Sequence, residues 1–108
     1  MPMRFFRDDY GIARCEGPAA TEVAGQFFES DIQSFEQWAD EVISQIDAIK
    51  SGRQKNWSRT GNAYNLELTG DSATIECLWD ESVPICRLTL GEFRDMAVGW
   101  SLFINASK

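Results

Sequence analysis

The sequence contains no histidine. That removes the side chain most often used as a general base, the usual partner of Ser and Cys nucleophiles, and the commonest metal ligand. Cysteine is scarce: Cys15, Cys77 and Cys86 stand alone, without CxxC spacing. Three thiols fall short of a four-cysteine zinc site, and an odd count reads as free thiols in a reducing compartment. No apolar run approaches the roughly 18 residues needed to span a bilayer. The opening MPMRFFRDDYG carries acids and lacks the apolar stretch of a secretory leader. The expected location is the cytoplasm. Positive charge is also scarce, with 10 Lys and Arg against 17 Asp and Glu, a net charge of −7. Broad nucleic-acid binding and attachment to an anionic membrane are disfavoured, because both rest on Lys and Arg facing phosphates. A basic protein partner is favoured instead.

What is present is a globular composition. The 108 residues are 44% hydrophobic, with 7 Phe, 4 Trp and 2 Tyr. One domain over 1–108 can bury a core at this length. There is no internal repeat, low-complexity tract or linker. The charges fall in blocks. Every charge from Glu16 to Asp47 is acidic. Lys50, Arg53, Lys55 and Arg59 follow without an acid. Glu67, Asp71, Glu76, Asp80 and Glu81 follow without a base. Such blocks make solvated faces, and they also pattern the field around the molecule.

Residues 3–7 and 12–16 read as a hairpin, with Asp8, Asp9 and Gly11 at its turn. Val23 to Glu29 is a further strand candidate. Ile32, Phe35, Ala39, Val42, Ile46 and Ile49 recur at steps of three and four, which predicts an amphipathic helix. Ser34 with Gln37, or Ser30 with Gln33, is spaced for its capping box; Lys50 and Gly52 suit its end. Residues 63–79 form the best-defined hairpin, turning at Gly70-Asp71. Its register sends Tyr64, Leu66, Leu68, Ala73, Ile75 and Cys77 inward and Asn65, Glu67, Thr69, Ser72, Thr74 and Glu76 outward. A strand over Ile85–Thr89 leads through a Thr89–Glu92 capping box into a helix from about Leu90 to Asn105. Phe93, Ala97, Trp100 and Ile104 line one stripe of it, and Gly99 suggests a close approach by another helix. This is an α+β fold: an antiparallel sheet of five to six strands with two helices, in the order β-β-β-α-β-β-β-α.

The stretches FFRDDYG, TEVAGQFF at 21–28, WSRTGNAYNLEL at 57–68 and RLTLGEFRDM at 87–96 occur in order along nearly the whole chain. With them the sequence resembles the YacL-like family of small, uncharacterised bacterial proteins. The resemblance implies a small cytosolic α+β protein. It carries no catalytic residue with it.

Four groups of side chains are candidates for function. Glu36, Asp40 and Asp47 fall on the exposed side of the first helix, as a solvated face or an acidic docking surface. Glu67 and Glu76 share the outer face of the hairpin, where paired carboxylates can do acid–base work or hold a divalent cation only within a cleft. Trp79, Asp80 and Glu81 place an aromatic beside acids in an exposed loop, as a polar turn or an anchor for a basic partner. Trp57 and Arg59 belong to the basic block and can hold an anion, or can simply pair with the acidic blocks. The Thr60-Gly61-Asn62 bend lacks the lysine, the spacing and the following helix of a phosphate loop. It reads as a hairpin bend, with Arg59 bridging the acidic blocks on either side.

No catalytic, metal or cofactor site is expected, and the protein is read as a non-enzyme. The leading expectation is an acidic immunity protein or antitoxin that covers a basic toxin. That toxin is expected to be a nuclease, such as one of a contact-dependent inhibition system. The other reading is a housekeeping or regulatory protein that binds a small molecule or protein near Arg59 and Trp57. A monomer or weak homodimer fits either.

Overall fold

The computed structural model describes residues 3–106. Strands β1 (Arg4–Arg7) and β2 (Ala13–Glu16) pair antiparallel, with Phe5 opposite Cys15. Asp8 sets their turn. Its Oδ1 accepts the N–H of Tyr10 at 2.9 Å and of Ile12 at 3.0 Å, while Gly11 adopts φ +76°. This is the predicted turn chemistry: a short acid folding back on its own backbone, then a glycine in the left-handed region.

The strand expected over Val23–Glu29 is a helix. A 3-10 turn at Ala19–Thr21 runs into α1 (Glu22–Phe27), and α1 ends in a π turn, Phe28–Ile32. Ala24, Phe27, Phe28 and Ile32 are all fully buried. A strand would send Phe27 and Phe28 to opposite faces, whereas a helix brings both to the core. The Gln33 N–H closes the π turn on the Phe28 carbonyl at 2.7 Å. Gln33 then takes φ +55°, rare for a residue with a side chain. Its carbonyl accepts the Trp100 indole N–H at 2.7 Å.

Helix α2 spans Glu36–Lys50 and buries Ala39, Val42, Ile46 and Ile49. Ile32 and Phe35, the first members of the predicted stripe, precede it. Neither capping box forms. Phe35 is the N-cap and makes no side-chain bond, and the Gln33 amide donates instead to the Ser30 carbonyl. The helix starts one residue later than the Ser34 box requires and five later than the Ser30 box requires. Lys50 in the last turn and Gly52 at φ +81° do end the helix as predicted.

Strands β3 (Trp57–Thr60), β4 (Tyr64–Leu68), β5 (Ser72–Cys77) and β6 (Cys86–Thr89) form a second, antiparallel sheet in that order. The β4–β5 register is the predicted one, from Tyr64 opposite Cys77 to Leu68 opposite Ala73. All six inward residues are buried. Helix α3 (Leu90–Ala106) opens on the predicted capping box. The Thr89 N–H donates to Glu92, and the Glu92 N–H donates to the Thr89 hydroxyl, both at 3.1 Å.

Helices α1 and α3 cover the inner face of this sheet, and α2 packs on α3. The Phe28 ring stacks on Phe93 at 5.4 Å, and Phe5 meets both Trp100 and Phe103. The close approach at Gly99 is that Phe5 ring rather than a helix: a Cβ there would lie 2.7 Å from its Cε2. The α+β class stands. The described residues, however, divide six strands between two sheets and contain three helices, in the order β-β-α-α-β-β-β-β-α.

Because the Thr89 hydroxyl satisfies an otherwise orphaned amide of α3, Thr89→Ala is expected to cost about 1 kcal/mol. Thr89→Ser should recover most of it. Urea unfolding of the two variants measures both.

Candidate functional site

The best-built polar site lies at the bend between β3 and β4. Asp31 projects from the π turn and is 3% exposed. Its Oδ1 accepts the Ala63 N–H at 3.0 Å and its Oδ2 the Tyr64 N–H at 3.1 Å. A Cβ on Gly61 would run into this carboxylate, lying 2.8 Å from its Cγ, so the bend needs a glycine there. The Gly61 N–H donates across the bend to the Tyr64 carbonyl at 2.9 Å. Tyr64 in turn donates its hydroxyl to Gln26 on α1 at 2.8 Å. The glycine bend thus does hold an anion, but the anion is an internal carboxylate. Asp31 was not among the expected site residues. Its signal was its place at the seventh step of the stripe Ala24, Phe27, Phe28, Asp31, Ile32, where an apolar residue would be ordinary.

Arg59 stands beside this clasp. It faces inward, opposite Leu66, and its guanidinium lies 5.0 Å from the centre of the Trp38 ring. Nη2 is 3.5 Å from the Asp31 carbonyl, a long contact, and Nη1 is buried with no hydrogen-bond partner among the described residues. Trp57 lies on the same face, opposite Leu68, half-buried against the core.

The acids expected to dock a partner are not gathered on one surface. Glu36 and Asp40 lie on α2, in the helical layer. Asp47, also on α2, is engaged by Arg94 of α3 at 2.7 and 3.2 Å, and those bonds hold its carboxyl below the usual carboxylate range. Glu67 and Glu76 are exposed on the outer face of the four-stranded sheet, in different rows. Glu67 faces Ser58 and Thr74, whereas Glu76 faces Asn65.

The loop after β5 concentrates more. Trp79 is 70% exposed, flanked in sequence by exposed Leu78 and with exposed Ile85 at the loop's far end. Asp80 accepts both the N–H and the hydroxyl of Ser82, which lowers its pKa and fixes the turn. Asp80, Glu81 and Glu76 form no ion pair with a described residue.

Other reactive groups are muted. Burial, then the neighbouring Glu29 charge, pushes the Cys15 thiol up to about 12. Glu29 lines a cleft of about 340 Å³ with Glu16 and Glu22, but it is already committed to the Cys15 N–H and to Arg14. Among the described residues no group of three or more His, Cys, Asp or Glu side chains is placed to hold a metal ion. No described helix is long and apolar enough to cross a membrane.

The scaffold is an α+β arrangement of three helices, a four-stranded antiparallel sheet and a two-stranded one among the described residues. The profile of the uncharacterised protein family UPF0231 matches residues 1–79, and the chain belongs to that family. It is similar to the UPF0231 protein YacL of Escherichia coli O139:H28 (strain E24377A / ETEC) and of Shigella boydii serotype 18 (strain CDC 3083-94 / BS512). Each is 28% identical over 75 residues, an alignment that covers 69% of this chain and 62% of the relative. The match thus spans under two thirds of these relatives' length. No solved structure matches the chain.

Two outcomes test this description. Asp31→Asn keeps the shape but offers one acceptor where two amides donate, so it is expected to destabilise by about 2 kcal/mol. Gly61→Ala should cost a similar amount by displacing the carboxylate, while the exposed Asn62→Ala changes little; urea unfolding reports all three. Asp47 supplies a pH test. A carboxyl with a depressed folded-state pKa stabilises fully above its unfolded value and loses that contribution as pH falls through the folded one. As pH falls below the ordinary aspartate value of 3.8 the wild type should therefore lose more stability than Asp47→Asn, as followed by thermal melts.

Proposed function

We propose that this protein is a small acidic cytoplasmic binding protein that neutralises a basic partner. In concrete terms it is an immunity protein or antitoxin covering the active site of a basic toxin, a nuclease of the contact-dependent inhibition kind. The observation that carries the reading is the loop after β5. An indole exposed over most of its surface is followed in sequence by Asp80 and Glu81, which form no ion pair with a described residue, and exposed Leu78 and Ile85 lie at the two ends of the loop. An aromatic anchor with charge around it is how interfaces concentrate binding energy. A net charge of −7 adds long-range attraction for a basic protein. The chain acts as a monomer or weak homodimer and performs no catalysis.

A second reading is favoured by Arg59. A guanidinium nitrogen buried without a hydrogen-bond partner, stacked on a partly exposed indole, suits a regulatory protein that takes an acidic ligand near Arg59 and Trp57.

The test begins with a basic nuclease toxin encoded beside this protein. The reading expects the protein to abolish the toxin's cleavage, with an on-rate that falls steeply with salt. The double reversal Asp80→Lys with Glu81→Lys should slow association about tenfold in stopped-flow mixing, with circular dichroism showing the fold retained. Glu36→Lys with Asp40→Lys tests the helical acids in the same way. If both leave the rate unchanged, acidic docking is wrong. Loss of ligand binding in Arg59→Ala, with the reversals silent, would support the second reading.

A further inference from the structure

The two edges of the four-stranded sheet differ. Beyond β6 lies the 3-10 turn Ala19–Thr21, with the Cys86 thiol 3.6 Å from the Ala20 carbonyl. At the other edge β3 pairs with β4 alone. Its register fixes what it presents. With Gly61 bonded to Tyr64, the hydrogen-bonded pairs along β3 and β4 are 61 with 64, 59 with 66 and 57 with 68. Antiparallel pairing alternates, so the N–H and C=O groups of Ser58 and Thr60 point away from the sheet. Both residues are exposed, and neither makes a main-chain hydrogen bond within the described residues beyond the sheet ladder.

The exposed charge just before β3 is positive, while Glu67 on β4 faces Ser58 on the outer side. Lys55 precedes β3 and is exposed. Arg59 lies on the strand itself, with Nη1 buried and lacking an acceptor, and Trp38 beside it is 40% exposed. A strand added beside β3 would place alternate side chains on the inner side, level with Arg59 and Trp57. A carboxylate there lies level with the Arg59 side chain. A second copy of this chain fits less well, because pairing β3 with itself brings two basic blocks together.

We propose that the β3 edge binds an extended acidic peptide segment by strand addition, with Ser58 and Thr60 supplying main-chain hydrogen bonds and Arg59 the carboxylate contact. The mode is that of other sheet-edge receptors: main-chain bonds give affinity and alternate side chains give selectivity. It uses a different surface, and a partner of opposite charge, from the acidic loop. It therefore stands or falls separately from the toxin-inhibitor reading.

The experiment uses the intact protein and a fluorescent peptide of about eight residues alternating valine and aspartate, enough to span a short strand. Three comparison probes are a lysine-for-aspartate version, a version N-methylated at alternate amides, and one N-methylated at the intervening amides. Fluorescence anisotropy should show binding of the acidic peptide and none of the lysine one. One methylated series should lose binding about tenfold while the other retains it, because only one row of amides faces β3. Arg59→Gln should weaken binding about tenfold. Ser58→Pro removes an outward N–H that the sheet does not use, and it should weaken binding similarly with the fold intact by circular dichroism. Equal binding of acidic and lysine peptides, equal loss in both methylated series, or no binding would overturn the proposal. So would sedimentation showing a dimer that Ser58→Pro dissociates, since the edge would then belong to a second copy.

Discussion

The Asp31 carboxylate is the constraint on which the rest of the molecule depends. It comes from the helical half and is received by two backbone amides of the sheet half, at Ala63 and Tyr64. A carboxylate removed from water costs several kcal/mol unless its oxygens are occupied. Here each oxygen has an N–H donor, so the charge is tolerable only while the β3–β4 bend keeps its shape. The bend can keep that shape only with glycine at 61, where a side chain would displace the acid. Asp31 reaches the bend because α1 ends in a π turn, which shifts the following residues around the helix axis. That turn leaves Gln33 in a left-handed conformation, which costs of order 1 kcal/mol. The Trp100 indole donates to the Gln33 carbonyl and ties α3 to the same corner. Two helices and one hairpin therefore meet around one acid.

This explains which parts of the fold were legible. The β4–β5 register could be read because a slip of one residue would bury Glu67, so the alternation admitted one solution. The Thr89–Glu92 box could be read because both partners are local. Val23–Glu29 was misread because a short apolar run has no decisive period of its own. The helical answer appears only when Phe27, Phe28, Asp31 and Ile32 are taken together, and the acid at 31 breaks the apolar pattern that would have revealed it. The missing cap of α2 has the same origin. Its serines are well spaced in sequence, but the π turn and Gln33 set the approach of the chain. In the site, the bend was placed and its lack of a phosphate-loop pattern was correct. Its anion lay thirty residues upstream, beyond the reach of local spacing.

Charge has been divided between structure and surface. Asp8, Glu29 and Asp47 hold turns and elements together through Arg14, backbone amides and Arg94. Asp80 is shaped by Ser82 and still faces outward without a cation. A count of acids along the chain treats these alike. The structure separates them, and Asp47 in particular contributes less to a docking field than its place in the acidic block suggests, since Arg94 neutralises it at contact distance.

The open β3 edge raises the question of why the protein would not simply aggregate through it. Sheet edges are protected by short length, by lysine and arginine, or by a covering element. β6 has a covering turn, and β3 has only four residues and a basic approach through Arg53 and Lys55. Basic flanks repel a second copy of the same strand, and the same flanks attract an acidic one. Protection against self-pairing and selectivity for a partner are then one physical feature seen from two sides. Arg59 distinguishes protection alone from recognition. A purely protective cation would sit in water, where its solvation is cheapest. This one lies on the inner side of the strand, stacked on Trp38, with one nitrogen buried and lacking an acceptor. Keeping a donor in that state costs stability unless something supplies the missing oxygen, so Arg59 is the residue at which protection and recognition part.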